Sequence, residues 1–251
     1  MTDANTATGP EAKVLAVFGA GPGLGSALAR KFGQAGYRVA LVARRPEPLA
    51  EMTAKLQAES IDVQAFSADL SDTKQIAATV RAIRDHFGRI DVVEYSPITS
   101  TSPFTAASEL TPSDLTGYVD LYLYSPIAVV NAVLPEMLER GDGAILVTQG
   151  GSAVAPEPFR SGVGPIMAAT RNYLYSLHGE LADQGVYAGT LSVSTFILGS
   201  TGASAMPVEA LREATGQEPV DASVLADLSW ELVTERDRVE TSWPTRKTSS
   251  T

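Results

Sequence analysis

The chain has 251 residues, 19 basic against 29 acidic side chains, a formal net charge of −10 and no cysteine. That balance argues against nucleic acid or an anionic membrane as the main partner, since both demand clustered cations. Only His86 and His178 stand in for soft metal ligands, far apart in sequence, so no metal site is expected. No apolar run approaches the roughly 18 residues of a membrane span, and a cytoplasmic protein with one substantial core is expected.

Met1 to Ala12 is polar, lacks the apolar stretch of a signal peptide and reads as a disordered tail. Val14–Phe18 is the first strand, and a glycine loop leads from it into a helix ending near Ala35. Arg38–Val42 is the second strand; Pro46–Ser60 then has helical spacing, with Leu49, Met52 and Leu56 on one stripe. Val63–Phe66 is the third strand, and Ser71 is expected to cap a helix running to His86. Ile90–Val93 is the fourth strand, and the Ser/Thr/Pro-rich loop from Ser96 to Pro103 leads to a long helix from Pro112 to Glu139. Gly143–Thr148 is the fifth strand, and Pro165 suits the first turn of a helix reaching Asp183. Tyr187–Val193 is the sixth strand. Helices over Pro207–Thr215 and Ala222–Glu235 precede a last strand at Arg238–Trp243, and residues 245–251 read as a second disordered tail. Such alternation predicts an α/β fold. It is a doubly wound parallel sheet of about seven strands, helices on both faces, in a single domain over residues 13–244.

The segment Phe18-Gly19-Ala20-Gly21-Pro22-Gly23-Leu24-Gly25 lies between the first strand and the first helix. Glycines there permit a tight turn and close approach of a ligand. The helix start offers free N–H groups and partial positive charge to a diphosphate. At the end of the second strand an acid would bind the 2′-hydroxyl of NAD(H). Arg44 and Arg45 stand there instead, suited to a 2′-phosphate, so NADP(H) is expected over NAD(H).

Gly19, Gly23 and Gly25 form G-x-x-x-G-x-G, which resembles the loop of the short-chain dehydrogenase/reductase superfamily, a Rossmann-like fold. The resemblance runs from Lys13 to Trp243. Asp69-Leu70 resembles the pair flanking the adenine, and Gly88-Arg89-Ile90-Asp91 resembles the approach to the fourth strand. Leu134-Pro135-Glu136-Met137 resembles the end of the fourth helix. The resemblance implies a small-molecule substrate. It also implies a homo-oligomer, dimer or tetramer, formed through the long Pro112–Glu139 helix and the helix after Pro165. Tyr118, Tyr122, Tyr124, Tyr173 and Tyr175 on those helices are expected at that interface.

In that family a tyrosine and a lysine one helical turn later, a serine and an asparagine manage the proton. Counted back from Gly179-Glu180-Leu181, the lysine falls on Met167 and the tyrosine on Val163; the serine falls on Gly150 and the asparagine on Asp120. No lysine lies between Lys74 and Lys247, so no shift of register restores the pair. Tyr95-Ser96-Pro97-Ile98 replaces the family's Asn-Asn-Ala-Gly, and Ser194-Thr195 its Pro-Gly turn. The candidates for a substitute are Tyr95, Asp120, Ser152 and Arg171, the last pairing with Asp120 or a substrate oxyanion. Three functions remain open: an oxidoreductase with a rebuilt proton donor, acting on a neutral, partly apolar carbonyl, enone or imine; a non-redox isomerase, cyclase or dehydratase; and an inactive cofactor-binding protein.

Overall fold

The computed structural model describes residues 12–99 and 104–245. Of the tails expected over residues 1–12 and 245–251, all but Ala12 and Thr245 lie outside the described residues, and Ala12 is buried. Seven strands form one all-parallel sheet in the order β3-β2-β1-β4-β5-β6-β7. The strands are β1 (Val14–Phe18), β2 (Arg38–Ala43), β3 (Val63–Ser67), β4 (Val92–Tyr95), β5 (Gly143–Gly150), β6 (Val186–Val193) and β7 (Glu240–Trp243). Strand order reverses between β1 and β4, which opens a crevice at the carboxyl ends of the strands.

Two helical layers cover the sheet. On one face lie α1 (Leu24–Gln34), α2 (Pro46–Ala58) and α8 (Ala222–Glu235), packed through Leu28, Phe32, Leu56 and Leu225. On the other lie α3 (Thr73–Phe87), α5 (Ser125–Arg140) and α6 (Gly164–Leu181), packed through Ile83, Val133, Met137 and Leu174. A short α7 (Val208–Thr215) stands between β6 and α8 in the chain. The cap of α3 corrects the expectation for Ser71: Asp72 accepts the Lys74 N–H at 3.1 Å, while Ser71 donates to Asp69.

The fourth strand runs two residues later than expected. Ile90 and Asp91 precede it because the buried Asp91 carboxylate accepts the Val14 N–H at 2.8 Å and binds Arg89. The expected long helix is continuous over Pro112–Arg140 but contains a π turn, so α4 (Pro112–Val119) passes through Asp120–Tyr124 into α5. Thr111 and Asp114 start it with a reciprocal capping box, and Gly141 in the left-handed region ends it. By length and composition this helix is apolar enough to cross a membrane, contrary to the expectation drawn from apolar runs; here Val129, Val130, Val133 and Met137 pack it on the sheet.

Candidate active site

The glycine loop turns sharply over the strand ends. Gly19 has φ +97°, and a Cβ there would lie 2.4 Å from the Pro97 nitrogen, so only glycine fits between β1 and the chain leaving β4. Its N–H and that of Ala20 both donate to the Val42 carbonyl at 2.9 Å. Gly23 caps α1 without any side-chain cap, and Leu24 begins the helix. The Ser26 N–H turns back to the Gly21 carbonyl at 3.0 Å. The Leu24 and Gly25 N–H groups head the helix, where neither an intrahelical acceptor nor a capping side chain can serve them. Gly21 faces open space, since a Cβ there would have its nearest neighbour at 3.9 Å, whereas Gly25 packs its backbone on Ala20. These donors and this open cradle fit a diphosphate.

Arg44 and Arg45, at the junction of β2 and α2, are exposed and form no ion pair among the described residues. Asp69 sits opposite, fixed by the Ser71 N–H at 3.0 Å and hydroxyl at 2.7 Å. Those bonds, with a smaller contribution from Arg44, hold its carboxyl below the usual range. Leu70 is buried, and its carbonyl accepts the Ser125 hydroxyl at 2.5 Å.

Of the positions that the family resemblance marks for chemistry, Gly150 and Met167 come together, with Ser152 beside them. A Cβ on Gly150 would lie 3.3 Å from Met167 Sδ and 3.7 Å from Ser152 Oγ, and one on Gly164 would lie 3.2 Å from Ser152 Oγ. Gly150, Ser152, Gly164 and Met167 thus form one loop–helix junction that includes the Ser152 hydroxyl. Next to it, a groove of about 390 Å³ is lined by Thr105, Leu110, Asp114, Tyr118, Gly162 and Val163.

The other candidates go elsewhere. Tyr95 is buried against Phe18 and donates its hydroxyl to the Leu121 carbonyl at 2.5 Å; burial pushes its pKa far above the ordinary tyrosine value. Asp120 is exposed at the start of the π turn. Arg171 does not pair with Asp120: it grips Glu240 on β7 through Nε at 3.1 and 3.0 Å, because its α6 stripe faces that edge strand. The Tyr175 and Ser192 hydroxyls donate to the same carboxylate at 2.6 and 2.8 Å. Of the tyrosines expected at an interface, Tyr122 is instead internal, its hydroxyl accepting the Thr99 N–H at 3.1 Å, because the π turn rotates it inward. Tyr124 is exposed.

Two buried polar residues escaped the reading of the sequence. Glu94 in β4 is 1% exposed; its Oε2 accepts the Ser96 hydroxyl at 2.8 Å, and its Oε1 has no partner. Burial pushes its pKa up to about 7 against the opposing Ser96 and Thr148 hydroxyls. Gln149 is 7% exposed, with both amide atoms unpartnered. The available signal was an acid inside an apolar strand that ends at the crevice. Apolar side chains rim the same edge: Ile98, Phe104, Phe159, Leu198, Met206 and Val208 are exposed. The loop after β6 is pinned by Leu198 N–H to Val220 carbonyl and Val220 N–H to Phe196 carbonyl bonds of 2.8 and 2.9 Å.

A doubly wound parallel sheet with an uncapped glycine-loop helix at its switch point defines a Rossmann-type dinucleotide-binding protein. The short chain dehydrogenase family matches residues 13–204, and the chain belongs to that family. It is 31% identical over 183 residues to an uncharacterized oxidoreductase of Staphylococcus epidermidis, covering 72% of this chain and 76% of that one. It is 27% identical over 220 residues to sulfoacetaldehyde reductase 2 of Chromohalobacter salexigens, covering 86% of each. A metagenomic short-chain oxidoreductase solved in complex with NADP shares the fold at a TM-score of 0.74 and 22% identity, covering 93% of this chain and 98% of that one.

Proposed function

We propose that the protein is an NADP(H)-dependent oxidoreductase that acts on a small, neutral, partly apolar carbonyl, enone or imine, with a non-standard proton source. The observation that carries this reading is the pair of exposed arginines, free of ion pairs among the described residues, beside the uncapped first turn of α1. Nicotinamide nucleotide, when bound, supplies or accepts a hydride. Glycine-loop amides hold the diphosphate, and Arg44 and Arg45 hold the 2′-phosphate. Ser152 Oγ orients the substrate oxygen at the Gly150–Met167 junction and is the hydroxyl through which a proton reaches it. Tyr95, committed to the Leu121 carbonyl, serves the core. The apolar rim excludes water from the reacting group and favours an apolar substrate arm. We place the protein in the cytoplasm and read it as a homo-oligomer; the exposed Tyr124 on the long helix supports the oligomer.

Loss of NADPH absorbance against a panel of carbonyls, enones and imines tests the proposal, with Arg44→Ala/Arg45→Ala expected to weaken NADPH binding about 10- to 100-fold while sparing NADH, as lost charge-assisted bonds require. If no compound in the panel draws hydride from NADPH, the oxidoreductase reading fails. Valine and methionine at 163 and 167, which cannot donate a proton, favour one second reading: a non-redox isomerase, cyclase or dehydratase with a retained nucleotide. Turnover without net oxidation would identify it. Tight NADPH binding with no turnover of either kind would mark an inactive cofactor-binding protein.

A further inference from the structure

We propose that Glu94 is a positioning residue that couples nucleotide binding to the uptake of a proton. The inference rests on the nucleotide-binding reading above and deepens it.

Glu94 sits on β4 one residue before the level at which the glycine loop begins. Glu94 pairs with Val17 in register, and the next step of the ladder sets Tyr95 beside Phe18, the last residue before the glycine loop. Ser96 N–H then donates to the Phe18 carbonyl at 2.8 Å, and Gly19 rests on Ser96 and Pro97. The Ser96 hydroxyl is bonded to the Glu94 carboxyl. The acid is thus joined, through one serine, to the stretch of backbone on which the loop turns. Strand alternation places Glu94 on the same face of the sheet as Val92 and Val17, the face that α1 covers. The buried carboxyl therefore lies on the sheet face that α1 covers, one ladder step before the glycine loop leaves β1.

A carboxylate in that position is poorly supported: Oε2 accepts the Ser96 hydroxyl, while the Thr148 hydroxyl lies close but makes no well-formed bond to Oε1. Among the described residues no charged side chain balances it. The groups acting on it are the Ser96 and Thr148 hydroxyls. From α1, Arg30 and Lys31 are engaged at the surface with Glu59 and Asp227; from α8, Asp227 and Glu231 are engaged with Lys31 and Arg238. A phosphate-bearing ligand at the glycine loop adds negative charge and further disfavours the ionised form. By linkage, whatever favours protonation of Glu94 when nucleotide binds makes binding tighter when Glu94 is already protonated. The sign follows from a free-protein value of about 7 that rises on binding. Affinity is greatest below that value and declines as pH rises above it, until the higher value of the complex is passed.

The test is NADPH binding to the full chain from pH 7 to 9, followed by nucleotide fluorescence. Calorimetry in phosphate and in Tris then counts the protons taken up. The unaltered protein is expected to lose affinity by up to about tenfold per pH unit and to take up a fraction of a proton near pH 7.5. Glu94→Gln, neutral at every pH, is expected to keep the tight affinity throughout with no such uptake. Glu94→Val serves equally if the glutamine variant does not fold, since it places an apolar side chain in an apolar layer. Equal pH slopes and equal uptake in variant and unaltered protein overturn the proposal while leaving nucleotide binding intact. Failure of the unaltered protein to bind NADPH at any pH overturns the nucleotide-binding reading and this proposal with it.

Discussion

A hydroxyl is a proton donor only when its proton is not already spent. Tyr95 has the chemistry that its position at a strand end invites, yet its proton goes to the Leu121 carbonyl in a sealed pocket. Tyr95→Phe is expected to lower stability by about 1–2 kcal/mol, the cost of leaving that carbonyl unsatisfied. Turnover should change far less than the 10²–10⁴-fold attributable to a general acid; thermal melting together with steady-state rates separates the two, and a loss of that larger size would return Tyr95 to the reaction. The candidate cofactor residues could be picked out in the sequence because they are backbone and charge. Gly19 and the two arginines show their purpose through residue type and place in the chain. Tyr95, Arg171 and Tyr122 did not, since which partner a side chain meets depends on elements remote in sequence.

Among elements, β7 and α6 illustrate how such partners are chosen. Glu240 lies on an edge strand and collects Arg171, Tyr175 and Ser192 from α6 and β6. Burial alone would raise its carboxyl, but the three donors outweigh burial and hold it below the usual range. Its stabilising contribution is therefore present above the ordinary carboxylate range and is lost as pH falls. Glu240→Gln is expected to cost about 1–3 kcal/mol near neutrality, the scale of hydrogen bonds to a charged group, with the deficit vanishing in acid; denaturant melts at two pH values measure it, and an equal deficit at both would refute the assignment. Element type and order were readable from apolar periodicity and turn residues. The π turn at Asp120–Tyr124 was not, because one extra residue in a helix leaves no mark on an apolar pattern already dense with leucine and tyrosine.

For the molecule as a whole, the cost of burying Glu94 is a cost of folding. Its carboxyl moves from the usual 4.5 to about 7 in the folded protein. Stability should fall as pH rises from about 4.5 to about 7 and stay lowered above, by about 3 kcal/mol. Glu94→Gln should recover most of that at pH 8 and little at pH 4.5; a variant no more stable at pH 8 would refute it. Alternating strands and helices are local patterns, so residue order alone settled the doubly wound sheet, and the glycine loop and the arginines that follow β2 marked a candidate nucleotide site on it. Burial and pairing are properties of layers brought together across the sheet. Only the folded chain could show that Glu94 is buried on the face of the sheet that α1 covers, that Arg171 belongs to Glu240, and that Gly150, Ser152 and Met167 meet.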